Sequence, residues 1–297
     1  MKSLKLKSPA KINLYLRILR RRQDGYHDIV TLFEKIALFD EITICRGTAR
    51  RAPTIKIICS DPRVPKGPKN LAYKAAKALL DYTGKRLSCR ITIKKRIPVA
   101  GGLAGGSSNA AIALFGLNRL WKLGLGKKDL MAIGAKIGAD VNFFLSGERF
   151  AIGTGRGEHC SPLHIKKALW HVLVSPSKGL STKTIYEYWD NMHPRGKFAL
   201  TAALSDVKII NQSIRSNDLT LLAKSLHNDL EQPAQAKDNI ILRIKSSLKS
   251  CGATGVLMSG SGSAVFSIMP SRKEAIRVRQ ELARLKNGWH IFVARTC

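Results

Sequence analysis

Residues 98–108 most constrain what this chain can fold into, because they place four glycines, one proline and two serines between two regular patterns. The preceding residues 88–94 alternate as a strand does, and residues 108–121 carry an apolar stripe at helical spacing. A strand, a glycine loop and a helix N-terminus in this order bring bare backbone N–H groups to the positive end of a helix dipole. Glycine lets phosphate oxygens approach the backbone closely, so this segment predicts a phosphate-binding loop.

The loop matches neither of the two commonest phosphate-binding fingerprints. A P-loop would need a lysine after the last glycine, where Ser107 stands, and the dinucleotide pattern GxGxxG does not fit residues 101–106. The uncharged residues 97–118 are long enough to suggest a membrane span, but the glycines, proline and serines make a poor hydrophobic helix. A structural loop with close helix packing is the alternative to a phosphate site.

Three short segments elsewhere carry polar groups that could do chemistry. Alternation in residues 8–14 places Lys11 and Asn13 on the face opposite the apolar side chains, and a solvated strand face is the alternative. Asp140 follows a glycine that ends a predicted helix, and a simple N-cap is the alternative there. Residues 259–263, with the sequence SGSGS, join two predicted strands and could be only a flexible hairpin.

The chain is strongly basic, with 51 Lys and Arg against 20 Asp and Glu and a formal net charge of +31. Hydrophobic residues at 44% and charged residues at 24% exclude general disorder. The charge favours acidic partners such as nucleic acid, anionic membranes or phosphorylated small molecules. The alternative explanation of the charge is an organism whose proteins are generally basic. Because no long basic tail or basic–aromatic alternation is present, binding of nucleic acid is not expected.

The cysteines predict a reduced environment. Six cysteines form no CxxC pair, and no histidine lies at ligand spacing from them, so neither structural zinc nor any other protein metal site is expected. Residues 1–7 alternate charge with leucine and contain no apolar run, so no secretory signal is expected. These features predict a cytoplasmic protein.

The periodicities predict a mixed α/β chain. In chain order they predict strands 11–18, 41–45, 54–59 and 88–94, helices 71–82, 108–121 and 128–137, then strand 168–174, helices 182–192, 200–215, 218–231 and 239–249, strands 255–258 and 264–268, helix 272–285 and strand 290–294. Asn70 is the expected N-cap of the first helix, and residues 24–25 mark a turn. The pattern changes near residue 160, which predicts domains over residues 1–160 and 161–297.

The order of these motifs resembles that of the GHMP kinase superfamily: a glycine loop without a P-loop lysine, then GAD, then SGSG. The finer segments are PAKINL at 9–14, DGYH at 24–27, TLF at 31–33, GADV at 138–141 and NDLE at 228–231. They resemble the members that phosphorylate a cytidyl-diphosphate-linked methylerythritol. The resemblance covers residues 8–268 and implies a two-domain α/β (α+β) fold. Its N-terminal, ATP-binding domain would be like domain 2 of ribosomal S5, its C-terminal domain ferredoxin-like, and the active site would lie in the cleft.

The resemblance also implies the chemistry. Such enzymes transfer the γ-phosphoryl group of ATP to the 2-hydroxyl of the acceptor, a step in the non-mevalonate route to isoprenoids. Asp140 would be the general base, with Lys11 beside it, and Mg²⁺ is expected with ATP. Lys95 and Asn70 would lie near the nucleotide. The residues expected to cradle the ATP phosphates are Pro98, Val99, Ala100, Gly101, Gly102, Leu103, Ala104, Gly105, Gly106, Ser107 and Ser108.

For the acceptor, the resemblance points to four side chains. Tyr26 and Tyr186 would stack on the cytosine ring, His27 would hydrogen-bond its edge, and Asn13 would also contact this substrate. Residues 153–157 and 181–182 would line the same region. The alternatives are surface turn residues for the DGYH segment and a half-buried helix aromatic for Tyr186.

Two positions depart from the family pattern. Asn142 stands where a proline is usual, which could loosen the turn after Asp140, and Ala104 stands where many members have glycine. A methyl group at residue 104 is tolerable only if φ is negative.

A GHMP kinase acting on homoserine, mevalonate or a sugar is the main alternative function, and a nucleic-acid-binding protein is the alternative from another class. The expected partners are ATP and the cytidyl acceptor, with no membrane, and the expected state is a monomer or weak homodimer.

Overall fold

A computed structural model describes residues 3–47, 54–194 and 196–297, and within these ranges the chain forms eleven strands and ten helices. The strands are β1 (Ser3–Arg21), β2 (His27–Arg46), β3 (Ile55–Cys59), β4 (Cys89–Lys94), β5 (Phe150–Thr154), β6 (His159–Pro162), β7 (Trp170–Ser175), β8 (His227–Asn228), β9 (Thr254–Met258), β10 (Val265–Met269) and β11 (His290–Arg295). The helices are α1 (Leu71–Thr83), α2 (Gly105–Trp121), α3 (Lys127–Ile137), α4 (Val141–Ser146), α5 (Thr182–Met192), α6 (Leu200–Ser216), α7 (Leu219–Ser225), α8 (Glu231–Lys237), α9 (Ile240–Ser250) and α10 (Arg272–Arg284).

The chain divides into two compact units, and neither is continuous in sequence. Unit 1 comprises the described residues of Met1–Ala10, Leu38–Val99 and Ala104–Glu148. Unit 2 comprises Lys11–Ala37, Ala100–Leu103 and Arg149–Cys297. Strands β1 and β2 therefore contribute residues to both units. The expected division of the sequence at residue 160 stays a prediction.

Unit 1 packs helices against a mixed set of strands. β4 pairs in parallel with β3 and antiparallel with residues 41–46 of β2. The isoleucines of these strands alternate toward the core, and α1 and α2 bury mainly alanine and leucine against them. Gly116 lets α2 lie directly on the sheet, because a Cβ there would be 2.5 Å from Cδ1 of Ile44. A larger residue at position 116 would push α2 away from β2.

Helices α3 and α4 flank the GAD segment. α3 ends at Gly138 as expected, but Gly138 has an extended backbone with φ of −179° rather than the left-handed conformation of a usual C-terminal glycine. The short helix α4, which the periodicity does not predict, begins directly after Asp140. Asn142 lies buried in its first turn, where a proline would also be tolerated, so the departure from the family pattern leaves this turn helical.

Unit 2 is built on an antiparallel sheet of order β11-β7-β10-β9. Its core packs the apolar stripes of α5, α8, α9 and α10 on this sheet, with Trp189 2% exposed at the centre. Within the same unit, β5 pairs with residues 31–34 of β2, and β8 pairs in parallel with Tyr15 and Leu16 of β1. The periodicity does not predict strands β5, β6 and β8, which are short and whose pairing partners mostly lie far away in the sequence.

The single helix predicted over residues 218–231 is wrong. The structure has α7, then the two residues of β8, then α8. Asn228 explains the break, because its side-chain amide donates to the carbonyls of Met258 and Gly260, both at 2.8 Å. A continuous helix would carry Asn228 away from these carbonyls.

Within the three described ranges, no helix has both the length and the apolar content needed to cross a bilayer. Met1 and Lys2, which belong to the segment where no secretory signal is expected, lie outside those ranges. All six cysteines are thiols.

Candidate active site

The start of α2 is a cluster of backbone donors in unit 1. The helix begins at Gly105, three residues before the expected start, and its first backbone bond runs from Ser108 N to Ala104 O at 2.9 Å. The N–H groups of Gly105, Gly106 and Ser107 therefore precede the regular hydrogen bonding of the helix. The first turn carries no acidic residue, and Gly106 is exposed. A helix of 17 residues whose start is accessible and free of acidic side chains has the features of an anion-binding helix end. Binding of the ATP phosphates there stays a prediction.

Other expected ATP-site residues of unit 1 approach this helix start. A Cβ on Gly105 would lie 2.9 Å from Nζ of Lys95, and one on Gly106 would lie 3.5 Å from Cδ1 of Leu71, the residue after Asn70. A Cβ on Gly138 would lie 3.8 Å from Oγ of Ser107, so the GAD segment borders the same turn. A side chain at residue 105 would press on the Lys95 ammonium and on Ile97, which favours glycine there.

Asp40 fixes the backbone between the end of β4 and the glycine loop. No sequence motif indicates this role. The Asp40 carboxylate is fully buried and accepts from Lys95 Nζ at 2.6 Å and from Asn109 Nδ2 at 2.9 Å. It also accepts from the backbone N–H groups of Arg96 and Ile97 at 2.8 and 2.9 Å. The buried ammonium of Lys95 is thus compensated by a carboxylate that also fixes the backbone before Pro98.

We expect Asp40→Asn to lower the free energy of unfolding by about 2 kcal/mol, since hydrogen bonds to a charged group contribute more than neutral ones. The amide keeps the shape but leaves Lys95 with a buried, uncompensated charge. Urea unfolding followed by circular dichroism measures the change. The exposed Asp81→Asn, which removes a carboxylate paired with Lys77 on α1, is the matched control. Equal stability of the two variants would contradict a structural role for Asp40.

Asn70 and Ser108 both have structural partners. Asn70 is the N-cap of α1 as predicted, because its Oδ1 accepts from Ala72 N at 2.8 Å, while its Nδ2 donates to Pro65 O. Ser108 is fully buried and its hydroxyl accepts from Ser8 Oγ at 2.7 Å. Each residue therefore shapes the surroundings of the loop, and its expected role toward ATP stays a prediction.

Asp140 occupies the N-cap position of α4, yet its side chain does not cap that helix. The alternative that it is simply a capping residue is therefore not supported. With Gly138 two residues away and close to Ser107, the carboxylate belongs to the segment that borders the start of α2. The expected role of Asp140 as a general base stays a prediction.

The loop itself bends through two left-handed alanines. Ala100 has φ of 56° and Ala104 has φ of 52°, and Ala104 is the N-cap of α2. A left-handed alanine costs roughly 1–2 kcal/mol relative to the usual conformation. The departure at residue 104 therefore falls at a position where glycine, which many family members have, would be free of strain.

In unit 2, Lys11 and Asn13 are buried, so the alternative of a solvated strand face is wrong. Lys11 is 4% and Asn13 2% exposed, and Lys11 Nζ donates to Asn13 Oδ1 at 2.6 Å. Asn13 Nδ2 donates to Thr31 Oγ1 at 2.7 Å, and Thr31 Oγ1 donates to Tyr15 O at 2.7 Å. The Lys11 ammonium also lies 5.5 Å from the centre of the Phe33 ring. This chain of contacts fixes the direction of both side chains.

The SGSG turn packs on residues 100–103 in the same unit. Ser259 Oγ donates to Gly102 O at 3.1 Å, and Ala264 N donates to Gly101 O at 3.2 Å. A Cβ on Gly260 would lie 3.3 Å from both Lys11 Nζ and Asn13 Oδ1. The turn is therefore not a flexible hairpin. It positions part of the glycine loop and lies against Lys11.

The expected cytosine-binding residues form a second group in unit 2. The His27 ring stacks on Tyr186 with centroids 4.8 Å apart, and its Nε2 lies 2.7 Å from Oδ1 of Asp190. Tyr26 is 57% exposed, and the guanidinium of Arg156 lies 5.1 Å from its ring centre. The structure thus brings His27 and Tyr186 together. Asp190 is a member of this group that no sequence motif indicates.

The two segments expected near the acceptor also contact these groups. Residues 153–157 comprise the end of β5 and most of the turn after it, in which Arg156 reaches Tyr26 and its Nε donates to Glu158 Oε1 at 3.2 Å. Burial alone would raise the pKa of Glu158, but backbone N–H groups and the guanidinium of Arg156 together hold that pKa below its usual value. The hydroxyl of Thr182 lies 2.8 Å from that of Ser261 in the SGSG turn.

Comparison with known proteins shows which family the chain belongs to. Residues 70–148 match the GHMP kinases N terminal domain and residues 210–287 match the GHMP kinases C terminal model. A 4-diphosphocytidyl-2-C-methyl-D-erythritol kinase of Pelobacter propionicus is 40% identical over 297 residues, which is all of both chains. The chain belongs to the 4-diphosphocytidyl-2-C-methyl-D-erythritol kinase family of the GHMP kinases. The α/β fold and the kinase activity expected from the resemblance are therefore confirmed.

Solved structures of GHMP kinases agree. A crystal structure of 4-(cytidine 5'-diphospho)-2C-methyl-D-erythritol kinase superposes with a TM-score of 0.78 at 29% identity and covers 98% of each chain. Homoserine kinase from Cytophaga hutchinsonii superposes with a TM-score of 0.74, but at 18% identity over 100% of this chain and 95% of its own. The second likeness shows the shared fold alone.

Proposed function

We propose that this GHMP kinase transfers the γ-phosphoryl group of ATP to the 2-hydroxyl of 4-diphosphocytidyl-2-C-methyl-D-erythritol. The observation that carries the proposal is the start of α2, where an uncapped, accessible helix end meets the GAD segment. The hydroxyl oxygen forms a bond to the γ-phosphorus while the bond from that phosphorus to the β–γ bridging oxygen breaks, and ADP leaves. The family of the chain and its relatives' names support this reaction.

The glycine loop binds the ATP phosphates in this proposal. The N–H groups of Gly105, Gly106 and Ser107 supply hydrogen bonds, and the helix dipole supplies partial positive charge. Lys95 adds a cation next to Gly105, although Asp40 compensates it. The tight contact between Gly102 and Ser259 keeps the first half of the loop in one conformation.

Asp140 acts as the general base, and Lys11 assists it. Asp140 accepts the proton of the 2-hydroxyl as the bond to phosphorus forms. The ammonium of Lys11 stabilises the negative charge that accumulates on the oxygens during transfer. Burial of Lys11 and its bond to Asn13 keep this charge at a fixed position.

His27, Tyr26 and Tyr186 recognise the cytosine, and Asn13 contributes to binding of the acceptor. Stacking of a base on an aromatic ring contributes roughly 1–3 kcal/mol, as in single-stranded nucleic acid complexes. Neither homoserine nor mevalonate carries a base. An aromatic group with a hydrogen-bonding histidine therefore favours the cytidyl acceptor over these alternatives.

Mg²⁺ enters with ATP in this proposal. Among the residues that the structure describes, no group of three His, Cys, Asp or Glu side chains could hold a metal ion. An ion that arrives with ATP would be held mainly by phosphate oxygens, the usual arrangement for Mg²⁺ in kinases. The Ser107 hydroxyl, beside Gly138 in the first turn of α2, is an oxygen donor that could complete its shell. When bound, the ion would neutralise charge on the phosphates.

We further propose that the enzyme works in the cytoplasm as a monomer or weak homodimer.

An acceptor comparison tests the proposal. Purified protein is incubated with ATP, Mg²⁺ and either the cytidyl acceptor, homoserine or mevalonate, and ADP release is followed. We expect turnover with the cytidyl acceptor alone, with phosphorus–carbon coupling in the product spectrum that assigns the phosphate to the 2-position. A reaction without acceptor gives the background hydrolysis. Turnover of homoserine or mevalonate without turnover of the cytidyl compound would overturn the proposed substrate.

A further inference from the structure

Helix α5 contacts the His27 ring twice from one face. Tyr186 stacks on the ring, and Asp190, one helical turn later, lies 2.7 Å from its Nε2. Residues four apart share a helix face, so the helix fixes both the plane and the edge of the imidazole. Trp189 meets the ring edge-on with centroids 5.6 Å apart. With its side chain 5% exposed, His27 has little room to rotate.

The carboxylate partner determines which ring nitrogen carries the proton. An ionised carboxylate only accepts hydrogen bonds, so Nε2 of His27 must be the donor in this contact. Asp190 also forms an ion pair with Arg21, whose Nε lies 3.5 Å from Oδ2. A neutral imidazole has one N–H group. Once Nε2 carries the proton, Nδ1 is left as a hydrogen-bond acceptor.

An acceptor at Nδ1 distinguishes the two common pyrimidine bases. Cytosine presents an amino group at its 4-position, which donates hydrogen bonds, whereas uracil presents a carbonyl oxygen there, which accepts them. We propose that Asp190 makes the site select an aminopyrimidine over an oxopyrimidine, by holding His27 in the tautomer whose free nitrogen accepts. Asp190 is then a positioning residue that acts through His27. This inference rests on the proposed function, because it takes His27 to be the residue that meets the base.

The test compares cytidine 5′-diphosphate with uridine 5′-diphosphate as probes, using calorimetry on the full chain. We expect the wild-type protein to bind the cytidine compound more tightly. In Asp190→Asn the amide can also donate, so the histidine tautomer is no longer fixed. We expect the ratio of the cytidine to the uridine affinity to fall by roughly tenfold or more. This is the expected effect of weakening one hydrogen bond, the one from the 4-amino group of cytosine to Nδ1 of His27. The KM for ATP should not change.

A matched control is Glu187→Gln, which removes an exposed carboxylate from the same helix, where it pairs with Lys183. This variant should keep the wild-type preference. If Asp190→Asn fails to fold, Asp190→Ala is used in the same measurement. In addition, nitrogen-15 spectra of the wild-type protein, with the His27 signals assigned through His27→Gln, should show a protonated Nε2 and a bare Nδ1 without any ligand.

The outcomes separate this inference from the proposed function. If the wild-type protein does not prefer the cytidine probe, the proposed cytosine recognition fails and this inference fails with it. If the wild type prefers cytidine and Asp190→Asn or Asp190→Ala keeps the full preference, only the role of Asp190 is overturned. A wild-type spectrum with the proton on Nδ1 overturns it as well.

Discussion

Replacing Asp140 by asparagine should lower kcat by about a hundredfold or more, the low end of what general-base catalysis contributes. The amide keeps the size of the side chain and the helical start of α4 but cannot accept the proton of the hydroxyl. Since Asp140 does not cap α4, the substitution should leave the local fold intact. Steady-state kinetics with ATP and the cytidyl acceptor measure the effect.

The split between kcat and KM distinguishes a catalytic from a binding role for Asp140. We expect the KM for ATP to change little, because backbone N–H groups rather than this carboxylate hold the phosphates. The exposed Asp81→Asn on α1 removes the same charge from unit 1 and should retain the wild-type kcat. A near-normal kcat for Asp140→Asn would remove Asp140 from the mechanism.

Local patterns predict the helices and the loop well, because their signals lie within a few residues. The N-cap at Asn70 and the bounds of α5 agree with the structure, since capping residues and the helical period are both local. The glycine loop before α2 is also where the sequence predicts it. The early start of α2 at Gly105 escapes prediction, since glycines are poor helix formers and only the tertiary setting makes them helical there.

Long-range contacts account for what the sequence cannot predict. Strand β1 runs over 19 residues, but its central residues 10–16 are buried on both faces, so alternation there does not mark one face as solvent-exposed. The break between α7 and α8 depends on carbonyls about thirty residues away from Asn228. No local period contains that information.

The same limit applies to the candidate site. Lys11, Asn13 and Asp140 are predicted because their motifs resemble a family, not because alternation or capping distinguishes them from ordinary residues. Asp40 and Asp190 belong to no such motif. Each acts by holding another side chain, Lys95 or His27, and that partner lies too far along the chain for spacing to connect them. Nothing in the neighbouring sequence distinguishes Asp40 or Asp190 from an aspartate without such a role.

Lys11→Ala should reduce kcat about as strongly as Asp140→Asn, by roughly a hundredfold. The ammonium of Lys11 is buried and directed by Asn13. In the proposed mechanism its loss removes the fixed positive charge that stabilises the transferred phosphoryl group. Lys11→Met, which keeps the apolar stem, separates lost charge from lost packing and should be equally inactive. Kinetics are measured together with thermal unfolding of each variant.

Lys7 offers a matched control for Lys11 on the same strand. Its ammonium lies 5.4 Å from the centre of the Phe39 ring, much as Lys11 lies over Phe33, but Lys7 is exposed. Lys7→Ala therefore removes an equal charge and a similar ring contact without touching the buried group around Asn13, and we expect wild-type kcat. Full activity in a folded Lys11→Ala variant would mean that its burial serves packing alone. Loss of activity in Lys11→Met with unchanged stability would show that the charge itself is required.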